Sequence, residues 1–220
     1  MPPRPAFDYR PPQDALNIVF EDDHLLVVDK PSGLLSVPGK AEHLWDCLEY
    51  RAQQYCPDAR IIHRLDMDTS GILILAKNAA AHRHIGLQFE RRHTSKIYQA
   101  LAWGQAGRDE GLIDLPLRCD WPNRPLQIVD FANGKSAQTR YQVLQRNERT
   151  SRFDLFPITG RSHQLRVHLL ALGHPILGDD FYAPAFVQAA SDRLCLHARY
   201  LEIHHPIGGE RISFGSEVPF

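Results

Sequence analysis

The chain has 220 residues, 43% hydrophobic and 23% charged, which excludes collagenous, disulfide-scaffold and wholly disordered classes. Its 25 Lys plus Arg against 26 Asp plus Glu leave a net charge of -1, too close to zero for a protein that coats nucleic acid by bulk charge. No apolar run approaches the ~18 residues of a membrane span, and the opening MPPRPAFDYRPP lacks the hydrophobic centre of a signal peptide, so a cytoplasmic protein with no membrane partner is expected.

In chain order, residues 1–13 carry five prolines and resist regular pairing, which predicts an extended N-terminal arm, with one folded domain over 14–220. Two β-rich runs at 17–21 and 25–29, split by Asp22-Asp23-His24, predict a hairpin followed by a turn at Lys30-Pro31-Ser32-Gly33. Residues 44–55 place Leu44, Leu48 and Arg51 on one face of an amphipathic helix that Pro57 ends. A strand at 72–76 precedes a helix capped by Asn78 and running to about 92, with Ala81, Ile85 and Phe89 inward.

Alternation at 96–103, 137–144 and 152–158 predicts half-buried antiparallel strands. A helix at 162–172, with Leu165, Leu169 and Leu172 inward, stops at Gly173 and Pro175. Late strands follow at 194–197, 200–204 and 211–214. Strands outnumber helices, so the expected class is α+β, a mostly antiparallel mixed sheet flanked by a few helices. The four cysteines lie far apart without a CxxC pair, which predicts reduced thiols and neither a disulfide framework nor a zinc site.

Charge is unevenly spread: residues 14–58 hold nine acids and three bases, whereas 59–220 come out at about +4. An anionic partner should therefore meet the later part. Two segments concentrate chemistry. HRLDMDTSG (63–71) sets nine polar-rich residues between apolar flanks; a turn whose side chains satisfy their own backbone would account for one or two of them, not all. ITGRSHQLRVH (158–168) is a loop feeding a helix whose first turn, with Arg161 and Arg166, offers an anion site. The leucines beside Arg166 place it at the core boundary, where it needs a carboxylate, and Asp66 is the natural candidate. His163 and His168, five apart on a helix, point about 140° from each other and do not make a metal pair.

Asp66-Met67-Asp68-Thr69 resembles the DxDxT motif of magnesium-dependent phosphatases, which require a doubly wound parallel sheet that the pattern lacks. The combination of HRLDMDTSG, KIYQALAWG (96–104) and ITGRSHQLRVHLLALGHPILGD (158–179), with VVDKPSGLLSVPG upstream and LCLHA downstream, resembles the RluA-type RNA pseudouridine synthases over about residues 17–215. CDWPNRP (119–125) and GKSAQTRYQV (134–143) are similar to the dual-specificity member of that family, which modifies tRNA and large-subunit ribosomal RNA. The S4-like domain that precedes the core in many relatives is not expected here.

The resemblance implies the pseudouridine synthase fold, no cofactor or metal, and isomerisation of uridine in a tRNA anticodon stem-loop and a large-subunit rRNA hairpin. It implies that Asp66 is the catalytic nucleophile, that Arg64 helps displace the target base, that Tyr98 packs on it, that Arg166 pairs with Asp66, and that Leu196 lines the pocket. A silent RNA-binding module of the same fold would not need an Asp with an Arg partner. The basic stretch 77–96, net about +4, adds Arg91, Arg92 and Lys96 as phosphate contacts, and a monomer is expected.

Overall fold

The computed structural model describes residues 8–220; the first seven residues of the expected arm lie outside the described residues. Residues 8–17 carry no regular structure and run beside the first helix. There Tyr9 donates to the Asp46 carbonyl at 2.7 Å, and Arg51 donates to the Pro12 carbonyl at 2.7 Å.

The predicted hairpin forms from β1 (Ile18–Glu21) and β2 (Leu25–Lys30), closed by Asp22, whose carboxylate accepts from the amides of His24 and Leu25. Strands β3 (Arg60–Ile61) and β4 (Ser70–Ala76) follow, and both β2 and β3 pair antiparallel with β4. Strand β2 sends Leu26 and Val28 to one face and Leu25 and Val27 to the other, and β4 does the same with Leu73 and Leu75 against Ile72 and Ile74. Burial on both faces explains why these strands read as unbroken apolar runs. Helix α1 (Leu48–Tyr55) covers the first face through Leu48 and Ala52, and α2 (Ala79–Arg91) covers the second through Ile85.

The second half of the sheet consists of β5 (Ser95–Trp103), β6 (Glu110–Asp114), β9 (Gln138–Arg146), β10 (Thr150–Pro157) and β11 (Leu196–His204). Strand β12 (Arg211–Gly215) pairs with β11, and β7 (Leu117–Cys119) with β8 (Gln127–Val129) form a separate two-stranded hairpin. Helices α3 (Gln164–Ala171) and α4 (Ala185–Gln188) complete the element list. The main order is β1-β2-β4-β11-β5-β10-β9-β6. All its pairs are antiparallel except β4–β11, a short parallel contact of Ser70 with His197 and Gly71 with Ala198. This is the expected α+β class with a mostly antiparallel mixed sheet.

Several sequence expectations need correction. The helix over 44–55 begins only at Leu48. Residues 42–44 form a separate 3-10 turn, and extended Cys47 caps the helix, its Sγ accepting from the Tyr50 amide at 3.4 Å. Arg51 does not pack inward but pairs with Asp46. The two late strands at 194–197 and 200–204 are one strand, with a register shift between Ala198 and Tyr200. Helix α3 is buried all round from Gln164 to Leu169, whereas Leu172 is exposed, because the helix plugs the core of the second half of the sheet instead of lying on it. Strands β3, β6, β7 and β8 gave no clear alternation. The cysteines are free, as expected, with Cys47 and Cys195 buried and Cys56 and Cys119 only half-buried.

The β4–β11 seam joins the two halves, and Gly71 allows it. At φ +115°, its missing Cβ would sit 2.3 Å from the Ala198 carbonyl oxygen and 2.6 Å from the Ala198 nitrogen. Gly71→Ala should therefore lower the unfolding free energy by more than about 2 kcal/mol in urea titration, because backbone and not a flexible side chain must move. A loss below about 0.5 kcal/mol would show that the seam does not depend on close approach.

Candidate active site

The seam opens into a cleft of about 1880 Å³, lined by residues 63–69, by Lys96 to Tyr98, by the 156–166 segment with Arg166, and by Leu196. Small-molecule pockets run to ~1,000 Å³, so this volume suits several nucleotides of a polymer.

The loop carrying Asp66 is held from behind. Lys30, with no exposed surface, donates from Nζ to the carbonyls of Pro31 (2.9 Å), Leu34 (2.7 Å) and Met67 (2.7 Å). Ser36 Oγ donates to the Leu65 carbonyl at 2.6 Å and accepts from its amide at 3.1 Å, while Ser32 Oγ donates to the Asp68 carbonyl at 2.7 Å and the Gly33 amide to that of Met67. The turn at 30–36 thus satisfies the loop backbone, and the side chains of Asp66 and Asp68 are not consumed in doing so. Half-buried Asp66 has no side-chain hydrogen bond among the described residues. Burial, with the Asp180 charge adding, raises the Asp68 pKa against the pull of Arg166 and Lys30. Thr69 Oγ1 is the only buried side-chain polar atom left without a partner among the described residues.

Tyr98 sits in β5 opposite Ala198 of β11 and packs against both the α1-covered core of the first half and the core of the second half while facing the cleft. Burial, reinforced by the nearby Asp66 charge, moves its hydroxyl pKa well above the ordinary value. Leu196, at the start of β11, is buried and forms an apolar wall. His63 stacks on Phe89 with centroids 4.5 Å apart and accepts from the Ile74 amide; burial, aided by the Lys96 charge, pushes its pKa down to about 3, so it is neutral.

Arg166 departs from expectation. Its ion pairs are not with Asp66 but with Asp179 (Nε to Oδ2 2.9 Å, Nη2 to Oδ1 2.5 Å) and Asp180 (3.0 Å). Burial opposes the cation, but the Asp179 hydrogen bond and the charges of Asp179, Asp66 and Asp180 outweigh it and hold its pKa above the usual range. Asp66 is thus an electrostatic neighbour, while Asp179 is the mate. The turn after α3 returns Asp179 beneath the helix, so it reaches the guanidinium before a residue a hundred positions away can. Its Oδ1 also accepts from the amides of Phe181 and Tyr182.

The anion site expected at the start of α3 is likewise not assembled. Gln164 Oε1 accepts from the Arg161 amide and the Gln164 amide bonds the Arg161 carbonyl, while Arg166 points inward. Arg161 stays exposed at the cleft rim, donating to the Ser136 carbonyl. Arg64 is exposed at the rim and without an ion pair among the described residues. Of the basic stretch, Arg92 and Lys96 face the cleft, Lys96 lying 5.6 Å over the Phe89 ring with its pKa lowered by burial. Arg91 is exposed outside the cleft lining, and Lys77 is spent on Glu21. The sequence reading missed Lys30, Asp179, Asp180 and the rim cations Arg124 and Arg140, the last 5.1 Å over Phe156. The unpaired need of Arg166 was the available signal for an acidic partner, and the adjacent Asp179-Asp180 pair was its overlooked answer.

No group of three or more His, Cys, Asp or Glu among the described residues could hold a metal ion. A model of the RNA pseudouridylate synthase family matches residues 24–171. The chain belongs to that family. The dual-specificity RNA pseudouridine synthase RluA of Escherichia coli strain K12 is 52% identical over 215 residues, covering 97% of this chain and 98% of its own. RluA of Vibrio parahaemolyticus is 54% identical over 205 residues, 90% of this chain and 82% of its own. Human RNA Pseudouridylate Synthase Domain Containing 1 superposes with a TM-score of 0.79 at 31% identity, covering 93% of this chain and 84% of that one.

Like other RNA pseudouridylate synthases, the protein is an isomerase that converts uridine to pseudouridine within RNA. The phosphatase reading falls with the fold, since the sheet is not the doubly wound parallel one it requires. The two carboxylates on Arg166 should differ sharply in weight, because Asp179 is 1% exposed and Asp180 46%. Asp179→Ala should cost about 3–5 kcal/mol of stability by leaving a buried guanidinium unpaired. Asp180→Ala should cost less than about 1 kcal/mol. Equal losses in urea titration would refute this ranking.

Proposed function

We propose that the chain modifies uridines in a tRNA anticodon stem-loop and in a hairpin of large-subunit ribosomal RNA, with Asp66 as the nucleophile. The observation that carries the assignment is a half-buried carboxylate with no protein hydrogen-bond partner among the described residues, on a loop pinned from behind. It faces a cleft walled by Tyr98 and Leu196. Residues 14–220 act as one catalytic domain, and the protein works as a cytoplasmic monomer.

The reaction breaks the N1–C1′ bond of uridine, turns the uracil, and forms a C5–C1′ bond; C5 releases its proton and N1 ends protonated, so atoms balance without a co-reactant. A stacked uridine cannot reach Asp66 and must be extruded, at a few kcal/mol. Packing on Tyr98, at about 1–3 kcal/mol per stacked base, offsets much of that. Arg64 occupies the gap the base leaves. Arg166 supplies fixed positive charge behind Asp66, itself fixed by Asp179. Arg92, Lys96 and Arg161 hold phosphates at the rim, with Arg91 a more distant contact.

Asp66→Asn should reduce tritium release from 5-tritiated uridine in RNA by at least about a thousandfold while stability stays within about 0.5 kcal/mol. Turnover at the wild-type rate would remove Asp66 from this role.

The substrate choice rests on the two relatives, named as dual-specificity enzymes, and on size. A compact chain of this length has a radius of gyration of about 17 Å, enough to embrace one small stem-loop. Loop bases splay at lower cost than stem bases, so selectivity comes from a few loop bases and the ease with which the loop refolds in the cleft. Isolated hairpins from both RNAs should be modified in vitro, and a strain lacking the protein should lose pseudouridine at both, mapped by carbodiimide adducts and reverse transcription. Loss at one RNA alone would refute dual specificity.

A further inference from the structure

The β7–β8 hairpin stands apart from the main sheet, and its tip, residues 121–125, is exposed throughout. Trp121 there leaves 65% of its surface in water. The tip that carries it is fixed. The Asp120 amide donates to the Leu126 carbonyl (2.9 Å), the Leu126 amide to the Asn123 carbonyl (3.1 Å), and Asn123 Nδ2 to the Asp120 carboxylate (2.8 Å). The Arg124 guanidinium lies over the indole, 4.7 Å from its centroid, and Arg124 and Pro125 line the mouth of the same cleft that holds Asp66.

The root of the hairpin is equally fixed. Leu117 and Val129 pack with Val167 of α3, and the Gln127 amide donates to Tyr182 Oη at 2.9 Å. Tyr182 Oη in turn lies 2.6 Å from His163 Nδ1, at the entry to the helix that carries Arg166. An indole on a backbone-fixed tip, open to solvent, backed by a cation and continuous with a cation-rimmed cleft, matches the π-face and phosphate of an unpaired nucleotide.

We propose that Trp121 and Arg124 form a base-stacking platform outside the catalytic pocket. Trp121 takes the face of one unpaired loop base other than the target uridine, and Arg124 takes the adjoining phosphate. This inference rests on the reading that an RNA hairpin occupies the cleft, and it makes the β7–β8 arm a determinant of which hairpins bind. Because the indole reads a π-face and not a base edge, the platform demands an unstacked base at a fixed place in the loop more than a given sequence.

The test uses the full chain and a set of synthetic hairpins, each with one loop nucleotide made abasic. Trp121→Ala should lower kcat/KM on the intact hairpin about tenfold, within the range for one stacked base, with the loss carried by KM. Trp121→Phe should recover most of it. For the wild type one abasic position should raise KM by a similar factor, and Trp121→Ala should be insensitive to that position alone. An unchanged KM in Trp121→Ala, or losses that add at every abasic position, would overturn the proposal. Either failure leaves the catalytic reading standing, since that reading fails only through turnover by Asp66→Asn with Trp121 intact.

Discussion

The structure hangs on one buried ammonium. Lys30 ends β2, and its Nζ gathers the carbonyls of its own turn and of Met67, so the turn at 30–36 and the loop at 63–69 are fixed as one body. Burial pushes its pKa down to about 7, against the charges of Asp68 and Asp66, so the acidic loop and the buried cation support each other. Buried backbone acceptors must find donors somewhere. Since Lys30, Ser32, Ser36 and Gly33 supply them, the side chains of Asp66 and Asp68 are not consumed in satisfying the loop backbone.

The two halves of the sheet touch through a short parallel seam, and the chemistry sits there because neither half alone could build it. The first half brings Asp66 on a pinned loop; the second brings Tyr98, Leu196 and Arg166. Arg166 is a fixed charge because Asp179 and the surrounding rings of Phe181 and Tyr182, 4.8 and 5.3 Å from its guanidinium carbon, hold it in place. Asymmetric charge lets a chain of net -1 engage RNA: acids outnumber bases in residues 14–58, while Arg64, Arg92, Lys96, Arg124, Arg140 and Arg161 all reach one cleft. A cleft whose rim carries more cations than acids concentrates an anionic polymer even on a neutral protein.

Local chemistry carried much of the fold into the sequence. The Asx turn at Asp22, the cap at Asn78, whose Oδ1 accepts from the Ala81 amide, and the glycine stop of α3 each act within a few residues, and all formed. The unbroken apolar run of β4 was legible because both its faces are covered. Helix α1 was overextended because Leu44 fits the helical period, while the extended Cys47 that interrupts it leaves no trace in a hydrophobic pattern. From the strand pattern alone Tyr98 reads as a core residue and only the family resemblance makes it a substrate contact; its position packs on both halves of the sheet and faces the cleft.

By itself the sequence determined the α+β class, the position of most strands, and the two polar segments that carry Asp66 and Arg166, while Tyr98 came from the family resemblance alone. Those properties follow from periodicity, capping and dense polar segments, which act over short stretches. Only the tertiary structure decided that Arg166 is mated to Asp179, that Lys30 anchors the loop carrying Asp66, and that Arg124 and Arg140 join the rim. A buried charge requires a partner, and that requirement is visible in the sequence. Which carboxylate or carbonyl meets it depends on how two half-sheets and a plugged helix come together, a distance that no local pattern encodes.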